Sequence, residues 1–351
     1  MQTKILLRLE LEQHELGSMS YQDIACASLS KFLPLSKNQC EIHEIISSKA
    51  AEEIQRAIKQ NPGQNQLEAW VTAAGKIDML IKGKIDRSQI DSELALNIDN
   101  LMQQGLVKLR FNRAIFTSAD SSWPERAGLL GAIFGSLATM LVCIAVSLPI
   151  GILTGIYLQE FAPKNKIIHI IMVNIYNLAS TPSVVFGLLG GYLYLEILRI
   201  PRSSPLAGGL TLALIMLPMV IIITKQAIKN VPQSVKNAAL ALGASHAQAL
   251  FHHVLPLALP EIMTGIILGI ARILGETAPL LIIGMAIFTT EMPNSITDAS
   301  ATLSTQIYLW SKSPEIAFKE RTGAAIITLI LIIALLNILA AIIKNRFSKL
   351  K

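Results

Sequence analysis

Apolar residues gather into five long blocks in the later part of the chain, preceded by short alternating or helix-spaced runs. The blocks cover residues 129–157, 167–198, 206–223, 255–288 and 323–343. A bilayer core takes about 20 apolar residues of helix, so each block predicts a membrane span. The second block is interrupted by "NLASTPS" at 177–183, which predicts a tilted or broken helix. The fourth carries Pro256, Pro260 and Pro279 and is longer than a single crossing needs. Ahead of the blocks, "ILLRLELE" alternates as a strand does. "SYQDIACASLSKFL" and "SSKAAEEIQRAIKQ" have helical spacing behind a serine cap. "NPG" at 61–63 breaks the chain, and "GLVKLRFN" predicts another strand. The expected fold is an all-α transmembrane bundle over 127–351 with an N-terminal soluble α+β domain over 1–126.

Composition agrees with this division. The 351 residues are 52% hydrophobic and 15% charged, with a mean hydropathy of +0.51. Residues 1–126 hold 15 Lys/Arg and 16 Asp/Glu, whereas 127–351 hold 15 and 8, so the basic excess belongs to the membrane half. There it marks cytoplasmic ends rather than a nucleic-acid surface, and no basic–aromatic interleaving suggests nucleic acid as a partner. Lys164 and Lys166, the acid-free group Lys225, Lys229 and Lys236, and the tail from Lys344 fall on one side of five spans. The positive-inside rule makes that side cytoplasmic and puts residues 1–126 outside. Met1 to Glu12 is no signal peptide. Outside the cytoplasm a Cys26–Cys40 disulfide is open, two buried free thiols being the alternative; Cys143 lies within a span.

Between the third and fourth blocks lies "NVPQSVKNAALALGASHAQALFHHVLP", residues 230–256. Pro232 suits the first turn of a helix, Gly243 the stop after it, and Ser245 the cap of a second short helix. A short Ala-rich helix in water invites a partner's groove, the bland alternative being an interfacial hairpin. His246, His252 and His253 have no spacing with other ligands that suggests a metal.

The loop resembles the coupling loop of bacterial ABC importer permeases, E-A-A, three residues, G, nine residues, I-x-L-P. Asn237, Ala238, Ala239, Gly243, His253, Leu255 and Pro256 fall in that register, with Asn237 in place of Glu and His253 in place of Ile. "ASTPSVVFGLLGG", "ARILGETAPLLIIGM" and "QIYLWSKSPEIAF" are similar to the PstA-type phosphate permeases over about residues 125–345. The resemblance implies the type I ABC importer permease fold, inorganic phosphate as cargo, and an inner-membrane location. It implies a homologous second permease subunit, a cytoplasmic ATPase dimer gripping the loop, and a periplasmic phosphate-binding protein. ATP and Mg would then belong to the ATPase, and this chain has no G-x-x-x-x-G-K-[ST] loop of its own. The family has a helix ahead of the periplasmic domain, so the expectation is a start upstream of residue 1.

Over 262–290 the only charges are Arg272 and Glu276. Four apart, they share one face of a continuous helix and can pair. A charge in hydrocarbon costs about 3 kcal/mol or more and usually faces a bundle interior or a watery path. Two readings follow: a self-neutralising structural pair, or Arg272 offering charge to an anion while Glu276 tempers it. The resemblance favours the second, with Gly275 for close helix approach and Pro279 for a kink. Asn174, Asn177, Ser180, Thr181 and Ser183 form a second polar group, of which Thr181 and Ser183 are candidates for lining the path. Sulfate or molybdate is the rival cargo, and an ATP-independent channel or carrier the rival mechanism. No H-E-x-x-H or G-x-S-x-G supports an intramembrane enzyme.

Overall fold

The computed structural model describes residues 2–10, 46–47, 50–60, 66–84 and 92–348. The "NPG" break, the helix expected over 20–33, Cys26 and Cys40 lie outside the described residues. The chain divides into two compact units, Met1–Gly128 with Ser313–Arg321, and Leu129–Lys312 with Thr322–Lys351. The sequence pattern had left 313–321 with the apolar blocks.

The first unit is built on a three-stranded antiparallel sheet of order β2-β1-β3, with β1 at Gln2–Glu10, β2 at Gln66–Thr72 and β3 at Val107–Arg110. Ile5 of the central strand stands opposite both Val71 and Val107. Helices α1 (Ala50–Gln60), α2 (Gly75–Ile81) and α3 (Ser92–Gln103) bring Ile54, Ile77, Ile98 and Leu101 against Ile5 and Leu7 in one core. Polar side chains fasten its edges. Asp78 accepts from the Thr3 amide at 2.7 Å and pairs with Lys82 at 2.6 Å. Lys82 and Lys84 reach Glu320 at 2.6 and 2.7 Å, which holds segment 313–321 in this unit. The single turn α4 (Ala114–Thr117) follows β3.

The second unit is helical. Among the described residues, four helices are long and apolar enough to cross a membrane, or five counting one bent pair. Helix α5 (Leu130–Ile156) runs on through a wider π-type turn to Phe161. Helices α6 (Lys166–Ser180) and α7 (Ser183–Gly190, continued by a π-type stretch to Ile197) form the bent pair. The bend is 99°, at the expected "NLASTPS" interruption. Pro182 causes it: proline lacks the N–H that would continue α6, and it starts α7 as N-cap. Helix α8 (Pro205–Lys229) is the hub, with 56% of its apolar window buried against 6% for the last helix. It approaches α5 closely because Gly151 and Gly155 face Val220 and Thr224, where a Cβ would lie only 2.7 Å from side-chain atoms. Small residues allow such packing where helices in lipid lack a hydrophobic drive to associate.

Short helices α9 (Gln233–Ala241) and α10 (His246–Gln248) precede a π-type turn and α11 (Leu255–Leu274). The block at 255–288 is therefore not one helix. Arg272 is in the last turn of α11, Gly275 caps it, and α12 (Ala278–Ile282) begins afresh. Pro279 sits in the first turn of α12, where its missing N–H costs nothing, and so marks a new start rather than a kink. Helix α13 (Leu303–Lys312) leads to α14 (Phe318–Ser348), which begins and ends beyond the apolar block at 323–343.

Candidate functional site

The two interrupted segments of the second unit meet at one cavity. Its volume is about 420 Å³, and Thr181, Ser183, Arg272 and Glu276 all line it. Thr181 and Ser183 come from the α6–α7 bend, Arg272 from the end of α11, and Glu276 from the link to α12. The bend is held locally: the hydroxyls of Ser180 and Thr181 both donate to the Asn177 carbonyl, at 2.9 and 3.0 Å. Asn174 instead turns its amide back to the Ile170 carbonyl.

The pairing of Arg272 with Glu276 across one helical turn is not realised. The helix ends between them, so the four-residue register is lost. Neither side chain forms an ion pair or hydrogen bond among the described residues; Arg272 is exposed and Glu276 half-buried. The backbone of Glu276 is nevertheless fixed, its amide donating to the Ile273 carbonyl at 3.0 Å and its carbonyl accepting from Ser304 Oγ at 3.2 Å. Gly275 brings no second helix close: a Cβ there would meet only the Arg272 carbonyl, at 3.5 Å. The close approach is at Gly187 of α7, where a Cβ would lie 2.7 Å from Pro279 Cα.

Apart from Ser180, whose hydroxyl is turned to the Asn177 carbonyl, the remaining wall is apolar, chiefly Phe186 of α7, Ile215, Met219, Ile222 and Ile223 of α8, and Ile273. Sequence reasoning missed these residues, for an apolar side chain in a span reads the same whether it faces lipid, core or cavity. The arrangement places a guanidinium with five N–H donors, a carboxylate and hydroxyls in an otherwise apolar enclosure. Such an enclosure suits a small tetrahedral anion, because the planar guanidinium fork donates two parallel bonds to adjacent oxygens.

The candidate coupling residues form a separate surface. Asn237 and Ala238 are exposed on α9, Ala239 is buried against the unit, and Leu242 beside them is 90% exposed. Gly243 takes φ +87°, the left-handed conformation that stops α9. Ser245 caps α10 in a reciprocal box with Gln248, at 3.2 and 2.8 Å. Lys236 forms an ion pair with Glu160, anchoring α9 to the end of the first long helix. Leu255 is half-buried and Pro256 exposed at the start of α11. His246, His252 and His253 gather no further ligands, and no group of three metal-ligating side chains occurs among the described residues.

Comparison with known proteins identifies the family of the chain. Residues 147–350 match the family model described as "Binding-protein-dependent transport system inner membrane component". Residues 2–91 match a domain of unknown function, DUF3333. The phosphate transport system permease protein PstA of Yersinia pestis is 35% identical over 66% of this chain and 77% of its own. PstA 1 of Mycobacterium tuberculosis (strain CDC 1551 / Oshkosh) is 32% identical over 63% of this chain and 72% of its own. Among solved structures, a chain of the methionine ABC transporter MetNI aligns over 63% of this chain and 94% of its own, at 15% identity and a TM-score of 0.48. This chain belongs to the family of binding-protein-dependent transport system inner membrane components, multi-span permeases of ABC transporters, within its PstA group.

Proposed function

We propose that this chain is a permease subunit of an ATP-driven importer and that its cargo is inorganic phosphate. The observation that carries the reading is the cavity where Arg272, Glu276, Thr181 and Ser183 converge. Arg272 brings to this helix-lined cavity a positive charge with no ion-pair partner among the described residues, which is what an anion passing through hydrocarbon would need. That the relatives at 35% and 32% identity are named phosphate permeases supports phosphate over sulfate or molybdate.

A homologous second permease subunit completes the path, and membrane lipid surrounds both. A cytoplasmic ATPase dimer, holding ATP and Mg, grips the surface of Asn237, Ala238, Ala239, Gly243, Leu255 and Pro256. A periplasmic binding protein delivers the anion at the opposite face. ATP binding closes the ATPases and turns the cavity outward, and hydrolysis returns it; this chain itself makes and breaks no bond. The N-terminal domain, residues 1–126, stands on the periplasmic side of the inner membrane and the C-terminus in the cytoplasm, as the basic loops suggest.

The test is uptake of labelled phosphate by cells lacking their own high-affinity system and supplied with the full subunit set. Uptake that needs the ATPase, resists excess sulfate and falls about 10- to 100-fold in Arg272→Gln is the expected result, a charged hydrogen bond contributing about 1.5–3 kcal/mol. Normal uptake by an assembled Arg272→Gln complex refutes the role of Arg272. Displacement by sulfate points to another oxyanion, and uptake without the ATPase to a channel or carrier.

A further inference from the structure

An enclosure that only attracts anions needs Arg272 and is harmed by Glu276. The carboxylate lines the same cavity, does not neutralise the guanidinium, and is held by a backbone tied on both sides. Toward a fully ionised guest it offers only repulsion, since a carboxylate accepts hydrogen bonds and donates none. It becomes favourable for one kind of anion, one that still carries a proton. At neutral pH inorganic phosphate keeps a P–OH, whereas sulfate carries no hydrogen.

We infer that Glu276 is a specificity-determining residue: it accepts a hydrogen bond from the P–OH of a protonated tetrahedral oxyanion held at Arg272, and so turns away oxyanions that carry no hydrogen. This rests on the phosphate reading above. The donors and acceptors around the cavity divide accordingly. Arg272 supplies N–H donors to the bare oxygens, and the Ser183 hydroxyl, without a partner among the described residues, supplies another. The Thr181 hydroxyl has its hydrogen committed to the Asn177 carbonyl, so toward a guest it too is an acceptor. A guest with no hydrogen to donate leaves Glu276 facing an anion unpaired, and rejecting an analogue that lacks a required hydrogen bond is where protein sites discriminate most strongly.

The experiment uses the assembled complex of this chain, its second permease subunit and the ATPase, without the binding protein, whose own selectivity would mask the effect. Equilibrium binding of labelled phosphate is measured with sulfate and arsenate as competitors. In the unaltered complex arsenate, which carries As–OH, displaces the label and sulfate does not. In Glu276→Gln the amide can donate to a bare oxygen, and the affinity for sulfate relative to phosphate rises at least tenfold. Glu276→Asp, which keeps the acceptor, retains the exclusion of sulfate. Should Glu276→Gln fail to assemble, Glu276→Ser supplies a donor in a smaller side chain and carries the same expectation. Sulfate excluded as strongly in the donor variant, or sulfate displacing phosphate from the unaltered complex, overturns the inference. Absence of phosphate binding to the unaltered complex overturns the phosphate reading instead.

Discussion

The contact between Gly187 and Pro279 gives a sharp test of how the cavity is built. A methyl group at position 187 would lie 2.7 Å from Pro279 Cα and 2.9 Å from Ile282 Cδ1. Ordinary contact begins at 3.4 Å, so α12 must retreat from α7 by about 0.7 Å to restore it. The Ile282 side chain can turn away, but a proline Cα is backbone with a ring-fixed φ and cannot. Overpacking of this kind costs about 1–3 kcal/mol, and every 1.4 kcal/mol is tenfold in an equilibrium. Because α12 begins two residues after Glu276, the same displacement moves the link that carries the carboxylate. Gly187→Ala is therefore expected to lower the thermal midpoint of the purified chain and to depress labelled-phosphate uptake in cells. Gly191→Ala is the matched control, since a methyl group there meets only Ile282 Cγ2, at 4.0 Å. Equal midpoints and equal uptake for the two variants would refute the claim that α7 and α12 are locked by this contact.

Three further outcomes follow from the packing. Lys236 and Glu160 are only 17% and 12% exposed, so removing either by alanine leaves a poorly hydrated charge and costs about 1–3 kcal/mol; the ATPase should then co-purify poorly, and the exchanged pair Lys236→Glu with Glu160→Lys should restore it. Gly243→Ala forces an L-residue to φ +87° at about 1–2 kcal/mol; hydrogen exchange in α9 should speed up while exchange in α8 does not. In the first unit, burial, and after it the Glu125 carboxylate, raises Glu315 above its ordinary range against the opposing pull of Lys76. A raised acid binds its proton more readily folded than unfolded, so stability falls as pH rises from the ordinary carboxylate value through the folded one. Glu315→Gln should remove that slope, read as exchange protection in α2 at mildly acidic and neutral pH.

Much of the architecture was legible in the sequence because hydrocarbon imposes a demand no other solvent makes. Residues 129–157 and 206–223 marked α5 and α8, and "NLASTPS" marked the 99° bend, since Pro182 removes a donor that lipid cannot replace. Pro232, Gly243 and Ser245 announced the two short helices α9 and α10 and the turn between them, each a local signal with a local cause. The break at Gly275 was misread although the signals were present: a glycine at the end of α11 and a proline in the first turn of α12 are stop and start marks. The unbroken apolar run outweighed them. The pairing of Lys236 with Glu160 could not be read, for it depends on a tertiary approach between residues far apart in the chain.

The correction at Gly275 strengthens the case for the cavity. Non-helical backbone at membrane depth is tolerated only where protein buries it or where it lines a watery space, because lipid satisfies no free N–H or C=O. Among the described residues, the helices of this unit's apolar segments are interrupted at 181–182 and at 275–277, in different parts of the chain. Residues from both line the same 420 Å³ space, and the helices that follow them touch at Gly187 and Pro279. A continuous α11 would have carried Glu276 one turn beyond Arg272 on the same face, where the two charges could cancel. Ending the helix between them keeps a cation and an anion in one enclosure without joining them. Both are then available to a third partner, as the proposed binding of a small ion with both bare and protonated oxygens requires.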